Sequence, residues 1–159
     1  GLSYAFGAYS GDVKEAAKSV GLKYARTVNS TNGFHTPGDF MEWNPTCHHD
    51  GGIMDLGKNF LEVPDYIELP LMYVWGHSFE FGLKNDYSVI EEFCKLMQGK
   101  EDIWYATNLE ICDYLTATRS LEWSADGKTM KNPTAISVWF TDNEGNLCEL
   151  KSGESKYLG

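Results

Sequence analysis

An α/β fold is predicted for this chain of 159 residues. Three observations predict it. Strand-like and helix-like patterns alternate over residues 1–120, the first of them form a β-α-β unit, and period-two hairpins replace the alternation from residue 121 onward. Four candidate parallel strands with helices between them read as a partial (β/α) barrel, half of one rather than a whole. The hairpins read as an antiparallel appendage, and the whole as a single domain over 1–159.

The elements follow in order. "LSYAF" reads as a short strand that ends in a glycine turn. Ser10 or Asp12 can cap a helix running to Ser19, which Gly21 stops. "LKYARTV" is the next strand, and a right-handed crossover makes it parallel to the first. A polar connection over 29–52 is longer than a compact domain normally carries, which marks it as functional or as hiding a short element such as "FMEW". "IMDLGKNFLEV" places Ile53, Leu56, Phe60 and Leu61 at helical spacing. "LPLMYVWGH", 69–77, is a strand. "DYSVIEEFCKLMQG" is a helix with Asp86 near its cap and Val89, Ile90, Phe93, Cys94 and Met97 inward. "DIWYAT" reads as a strand, and "NLEICDYLTATRS" as a helix with Leu109, Ile111 or Cys112, and Leu115 inward. Two hairpins close the chain, turning at Asp126-Gly127 and at 143–145.

Composition narrows the function. A net charge of −10 repels nucleic acid and anionic membrane, and no apolar run is long enough to span a bilayer. Aromatic residues make up 14% of the chain, a share that suits core packing and also stacking on sugar rings. Cys47, Cys94, Cys112 and Cys148 form no C-x-x-C pair, so reduced thiols in a cytoplasmic setting are expected, with Cys94 and Cys112 buried. No signal peptide opens the chain. It starts inside a strand pattern, as a fragment of a longer chain would.

The chemistry-bearing residues gather in two stretches. His77 ends a strand, where α/β folds bind ligands and where a histidine can move protons near neutral pH. Glu80 follows among aromatics. The alternative for His77 is a strand-end ring tied to a neighbouring loop. "CHHD", 47–50, packs four potential ligands into one loop, yet adjacent histidines on an extended chain point to opposite sides, and a solvated polar loop is the competing reading. Trp43 and Trp75 suit either a sugar platform or the core. Arg26, mid-strand, must meet a carboxylate or reach the rim, which gives it a supporting, pairing role. No phosphate loop, nucleophile elbow or H-E-x-x-H is present.

Taken in order, "SYAFGAYS…GLKYARTVNST", "DFMEWNPTCHH", "YVWGHSFEF…IEEFC", "DIWYATNLEICDY" and "NPTAISVW" resemble the C-terminal part of a polysaccharide deacetylase of the NodB-homology group, carbohydrate esterase family 4. The resemblance spans residues 2–139. It implies a distorted (β/α) barrel that holds one divalent metal, often zinc, and hydrolyses acetyl groups on a carbohydrate. The family's L-x-H motif is matched in position by "VWGH", which implies that His77 is the general acid. Trp75 stands where the family has leucine. The family's R-x-P-x-G is met only by "SYAFG", where Ser3 and Ala5 replace the arginine and the proline.

The family's T-F-D-D-G and H-x-x-x-H motifs, which supply the base and the metal ligands, do not occur. On the resemblance this chain carries the acid half of the mechanism, binds no metal of its own and is nearly inactive alone. Trp75, Trp43, His48 and Glu80 would border the acetylated carbohydrate. Open strand edges would allow a homo-oligomer. Two alternatives stand beside this reading: a carbohydrate-binding or structural domain without catalysis, and an unrelated hydrolase whose metal is held by His35, His48, His49 or His77.

Overall fold

The computed structural model describes all of residues 1–159. Its contacts divide the chain into two compact units, Gly1–Tyr105 and Ala106–Gly159.

In the first unit the extended segments are short and run parallel. Strand β1 (Leu2–Ser3) pairs with β2 (Ala25–Arg26), and β3 (Cys47–His48) pairs with β4 (Val74–Trp75). A single parallel bridge between Arg26 and Trp43 joins the chain leading into β3 to β2. Four extended segments therefore neighbour one another in chain order, although no sheet closes. Between β1 and β2 lies helix α1 (Gly11–Ser19), whose first turn is capped by Ser10 Oγ accepting from Val13 N. The crossover buries Tyr4, Ala17, Ala25 and Met41 as one cluster, and Tyr4 Oη donates to Met41 O at 2.9 Å.

Helices α2 (Ile53–Leu61), α3 (Ser78–Lys84) and α4 (Ser88–Met97) complete the unit. Gly57 lets α2 approach α4 closely, because a Cβ there would sit 3.0 Å from the Phe93 ring and 3.1 Å from Leu96. On α4, Val89, Ile90, Phe93 and Met97 turn inward as the spacing predicts. Cys94 is exposed instead of buried: at 100° per residue it lies off the stripe that Ile90, Phe93 and Met97 define.

Several sequence expectations shift in this unit. The strand expected over "LSYAF" ends at Ser3, and Ala5–Gly7 is a 3-10 turn. The strand expected over 69–77 is laddered only at Val74–Trp75. "DIWYAT" joins no ladder and so is not a strand. The "FMEW" element exists, as a 3-10 turn over Phe40–Glu42.

The second unit joins helix α5 (Asn108–Arg119) to five strands: β5 (Glu122–Trp123), β6 (Thr129–Lys131), β7 (Val138–Thr141), β8 (Leu147–Leu150) and β9 (Ser155–Tyr157). Helix α5 opens with a capping box in which Thr107 and Glu110 satisfy each other's backbone N–H groups. It buries Cys112, Leu115 and Ala117 and leaves Leu109 exposed. Both expected hairpins form, β5 with β6 and β7 with β8, and β9 adds a third strand beside β6. The helix assigned by sequence to the β/α region therefore packs with the hairpins. No helix is long and apolar enough to cross a membrane.

Candidate functional site

The site grows from the parallel pairing of β3 with β4. Register sets Cys47 opposite Val74 and His48 opposite Trp75, and the ladder continues as His49 N donates to Trp75 O at 2.9 Å. Both strands end within a residue or two of these positions. Each then turns, so the carboxyl edge presents His48 and His49 from one strand and Gly76 and His77 from the other. "CHH" is thus a strand and its turn, with Cys47 fully buried, rather than a solvated loop. Burial pushes the Cys47 thiol pKa up.

After β4 the chain enters α3, a helix that the sequence reading did not identify because its seven residues show too little periodicity. His77 caps it. Glu80, at the third helical position, reaches back so that Oε2 accepts from His77 N and Oε1 contacts His77 Nδ1, both at 3.3 Å. Half of the His77 side chain remains open to solvent, and its ring centre lies 5.6 Å from that of Trp75 and 5.2 Å from that of Phe79.

Glu80 also faces the histidines of β3. Its Oε2 lies 3.1 Å from His48 Nε2 and 3.3 Å from His49 Nε2. Partial burial raises the pKa of this carboxyl, but the backbone N–H and ring of His77, with the charges of His48 and His49, outweigh it and hold the carboxyl below its ordinary value. The expectation that His48 and His49 diverge is overturned. Their rings lie 4.1 Å apart, because β3 stops at His48 and a tight turn from Gly51 N to His48 O swings the chain before the pleat can alternate.

His49 is the most enclosed of these groups, with 3% of its side chain exposed, and neither ring nitrogen makes a hydrogen bond. Glu80 Oε2 and Asp50 Oδ1, 3.3 and 3.4 Å from Nε2, are near but misaligned. Gly76 makes room for that ring, since any Cβ at 76 would collide with His49 Nδ1. Lys84 Nζ holds Asp50 Oδ2 at 2.6 Å, which fastens the histidine turn to α3 and draws the Asp50 pKa down. A cleft of about 390 Å³ opens beside these groups, lined by His49, Asp50, Ile53, Phe81, Lys84 and Val89 among others.

The structure brings His48, His49, Glu80, Trp75 and His77 together and gives the remaining predicted residues other tasks. Trp43, expected at a sugar rim, is only 1% exposed; its ring packs on Tyr24, Phe40 and Tyr73, so neither face is open to a ligand. Arg26 finds an aromatic surface rather than the expected carboxylate: its guanidinium sits 4.2 Å from the centre of the Trp75 ring and donates to Thr27 O at 2.8 Å. His35 stays outside the cluster. Trp75 is half-buried between Arg26 and His48, which limits it to an edge contact with any ligand. The sequence reading missed Gly76, Asp50 as an anchored carboxylate and Lys84 as its partner. Of these only Asp50 carried a signal, its place beside the paired histidines.

Nε2 of His48, Nε2 of His49 and a Glu80 oxygen present ligand-type atoms to one another, all three donor groups falling within 4.8 Å. The arrangement can hold a cation, and separately it can hold His77 in one orientation for proton transfer. Compared with models of protein families, with curated proteins and with solved structures, the chain matches none.

Proposed function

We propose that this protein takes part in hydrolytic removal of acetyl groups from a carbohydrate, with His77 as the general acid. One observation carries the reading: a half-exposed imidazole at the carboxyl edge of a parallel strand pair, with Glu80 Oε1 on its Nδ1. The order of family-like motifs over 2–139 supports the substrate class.

The chemistry asked of these residues is limited and balanced. Water adds to the acetyl carbon and releases its protons to the solvent, and the C–N or C–O bond to the sugar then breaks. The departing amine or alkoxide is a poor leaving group until it gains a proton. His77 in its protonated form gives that proton from Nε2 and is left neutral, while acetate and the free sugar group depart. Glu80 is a positioning residue here: its hold on Nδ1 fixes which nitrogen faces the sugar. The rings of Phe79 and Trp75 flank the imidazole and keep it from rotating away. The resemblance also implies a divalent metal held by an aspartate and an H-x-x-x-H pair. That ligand set does not fit this chain, which has no H-x-x-x-H and whose clustered ligand-type groups are His48, His49 and Glu80, and no step is derived through it.

The test is acetate release from N-acetylglucosamine oligomers by the protein expressed from its whole reading frame. Replacing His77 with Gln should lower the rate about 100- to 10,000-fold and leave oligosaccharide binding in place. An unchanged rate would remove His77 from the mechanism. Tight oligosaccharide binding without any acetate release would favour the carbohydrate-binding reading.

A further inference from the structure

We infer that His48, His49 and Glu80 form a binding site for one divalent transition-metal ion of the zinc type. The site is separate from the ligand set that the family resemblance implies, and it does not depend on the carbohydrate reading, since His77 is not one of its donors.

Three observations carry it. First, the spacing fits. Zinc held at about 2.0–2.1 Å by nitrogen and oxygen in a tetrahedron sets neighbouring ligand atoms about 3.3 Å apart. Glu80 Oε2 lies 3.1 Å from His48 Nε2 and 3.3 Å from His49 Nε2. Second, the His49 ring is 97% enclosed and both its nitrogens lack a hydrogen-bond partner, although Nε2 lies only 3.3 Å from a Glu80 oxygen. A buried polar atom without a partner destabilises the fold, and a cation at that point removes the cost for Nε2. Third, space has been cleared for the ring. Gly76 leaves the space that the imidazole fills, and Asp50, held by Lys84, lies 3.4 Å from its Nε2, as supporting residues do around metal ligands.

Donor type selects the ion. Two imidazoles with one carboxylate suit zinc and its neighbours over calcium or magnesium, which prefer all-oxygen shells. Three protein ligands leave a fourth position for water, and the cleft lined by His49, Asp50 and Phe81 adjoins it. Uptake has a visible consequence at His48. Its Nδ1 now accepts from Asp50 N at 3.3 Å, which places the ring proton on Nε2. A metal at Nε2 moves that proton to Nδ1 and turns the Asp50 N–H to solvent.

The test is titration of chelator-stripped protein with zinc chloride, with elemental analysis after dialysis and NMR of the histidine rings. One zinc should bind per chain, shifting the His48 and His49 rings and the Asp50 amide while His35 stays still. Cobalt(II) in its place should give the intense visible bands of a four-coordinate ion. His48→Ala should weaken binding by at least about 100-fold, and Gly76→Ala, which displaces the His49 ring without removing a donor, by about 10- to 100-fold. Neither variant removes His77 or Glu80, and the His77 ring signals in the same NMR spectra separate loss of metal from disturbance of the His77 contact. Failure of the unaltered protein to bind zinc overturns the site, whatever the variants do. So does binding that moves His35 or His77 in place of His48 and His49, or binding unchanged in a folded His48→Ala protein.

Discussion

Asn132 in the C-terminal unit and His49 in the N-terminal unit are both sealed from solvent, and their surroundings treat them oppositely. The Asn132 amide is saturated: Nδ2 donates to Ile136 O at 2.7 Å and Leu150 O at 3.0 Å, while Oδ1 accepts from Thr134 N at 3.0 Å and Thr134 Oγ1 at 2.7 Å. That network ties the strand before the Asn132 corner to the end of β8. His49 has neither nitrogen satisfied. A buried polar group that is fully partnered specifies a fold, and one that is enclosed without partners is held ready for something else. The hairpin unit satisfies its buried polar side chains within itself, and the parallel-strand unit leaves the His49 imidazole unpartnered, along with the indole N–H groups of Trp43 and Trp75.

The contrast can be broken by substitution. Asn132→Ala strands the buried carbonyls of Ile136 and Leu150 and should cost about 2–4 kcal/mol in urea unfolding. His49→Leu in metal-free protein removes an unpaired buried imidazole and should change stability by no more than about 1 kcal/mol in either direction. Equal losses for the two variants would mean that His49 is as well partnered as Asn132, and the distinction would fail.

The smallest effect concerns pH. The Glu80 pKa lies below its ordinary value of 4.5, so its ionised form favours the folded chain. That contribution is present above pH 4.5 and fades as pH falls through the lower, folded-state value. Unfolding midpoints measured down that acid range should decline less steeply for Glu80→Gln than for the unaltered protein. Identical slopes would show that Glu80 is not held by the three histidines.

Much of the local structure was legible in the residues. Helices α1, α2, α4 and α5 were all expected from 3.6-residue spacing, with Ser10 as a cap and Gly21 as a stop, and both hairpins from turn residues between alternating runs. Strand β3 was not, because two residues carry no period, and "CHH" reads as loop until a partner strand is known. The ambiguity of Trp43 has a related cause: by sequence it suits either the core or a sugar platform, and the bridge from Arg26 to Trp43 draws it into the core. A mid-strand Arg26 needs a partner, but sequence supplies no means of choosing Trp75 over a carboxylate.

By itself the sequence determined the alternation of helix and strand, the charge that turns away polyanions, and the presence of a strand-end histidine at 77 with a carboxylate three residues on. Those features are written in local spacing, which a chain expresses wherever it goes. The convergence of His48 and His49 on Glu80 was decided only by tertiary structure. It joins residues about thirty positions apart through one parallel pairing, β3 with β4, and through a glycine at 76 that admits the His49 ring. Pairing register and the fit of one ring against a bare backbone are properties of two segments at once, so neither stretch alone could disclose them.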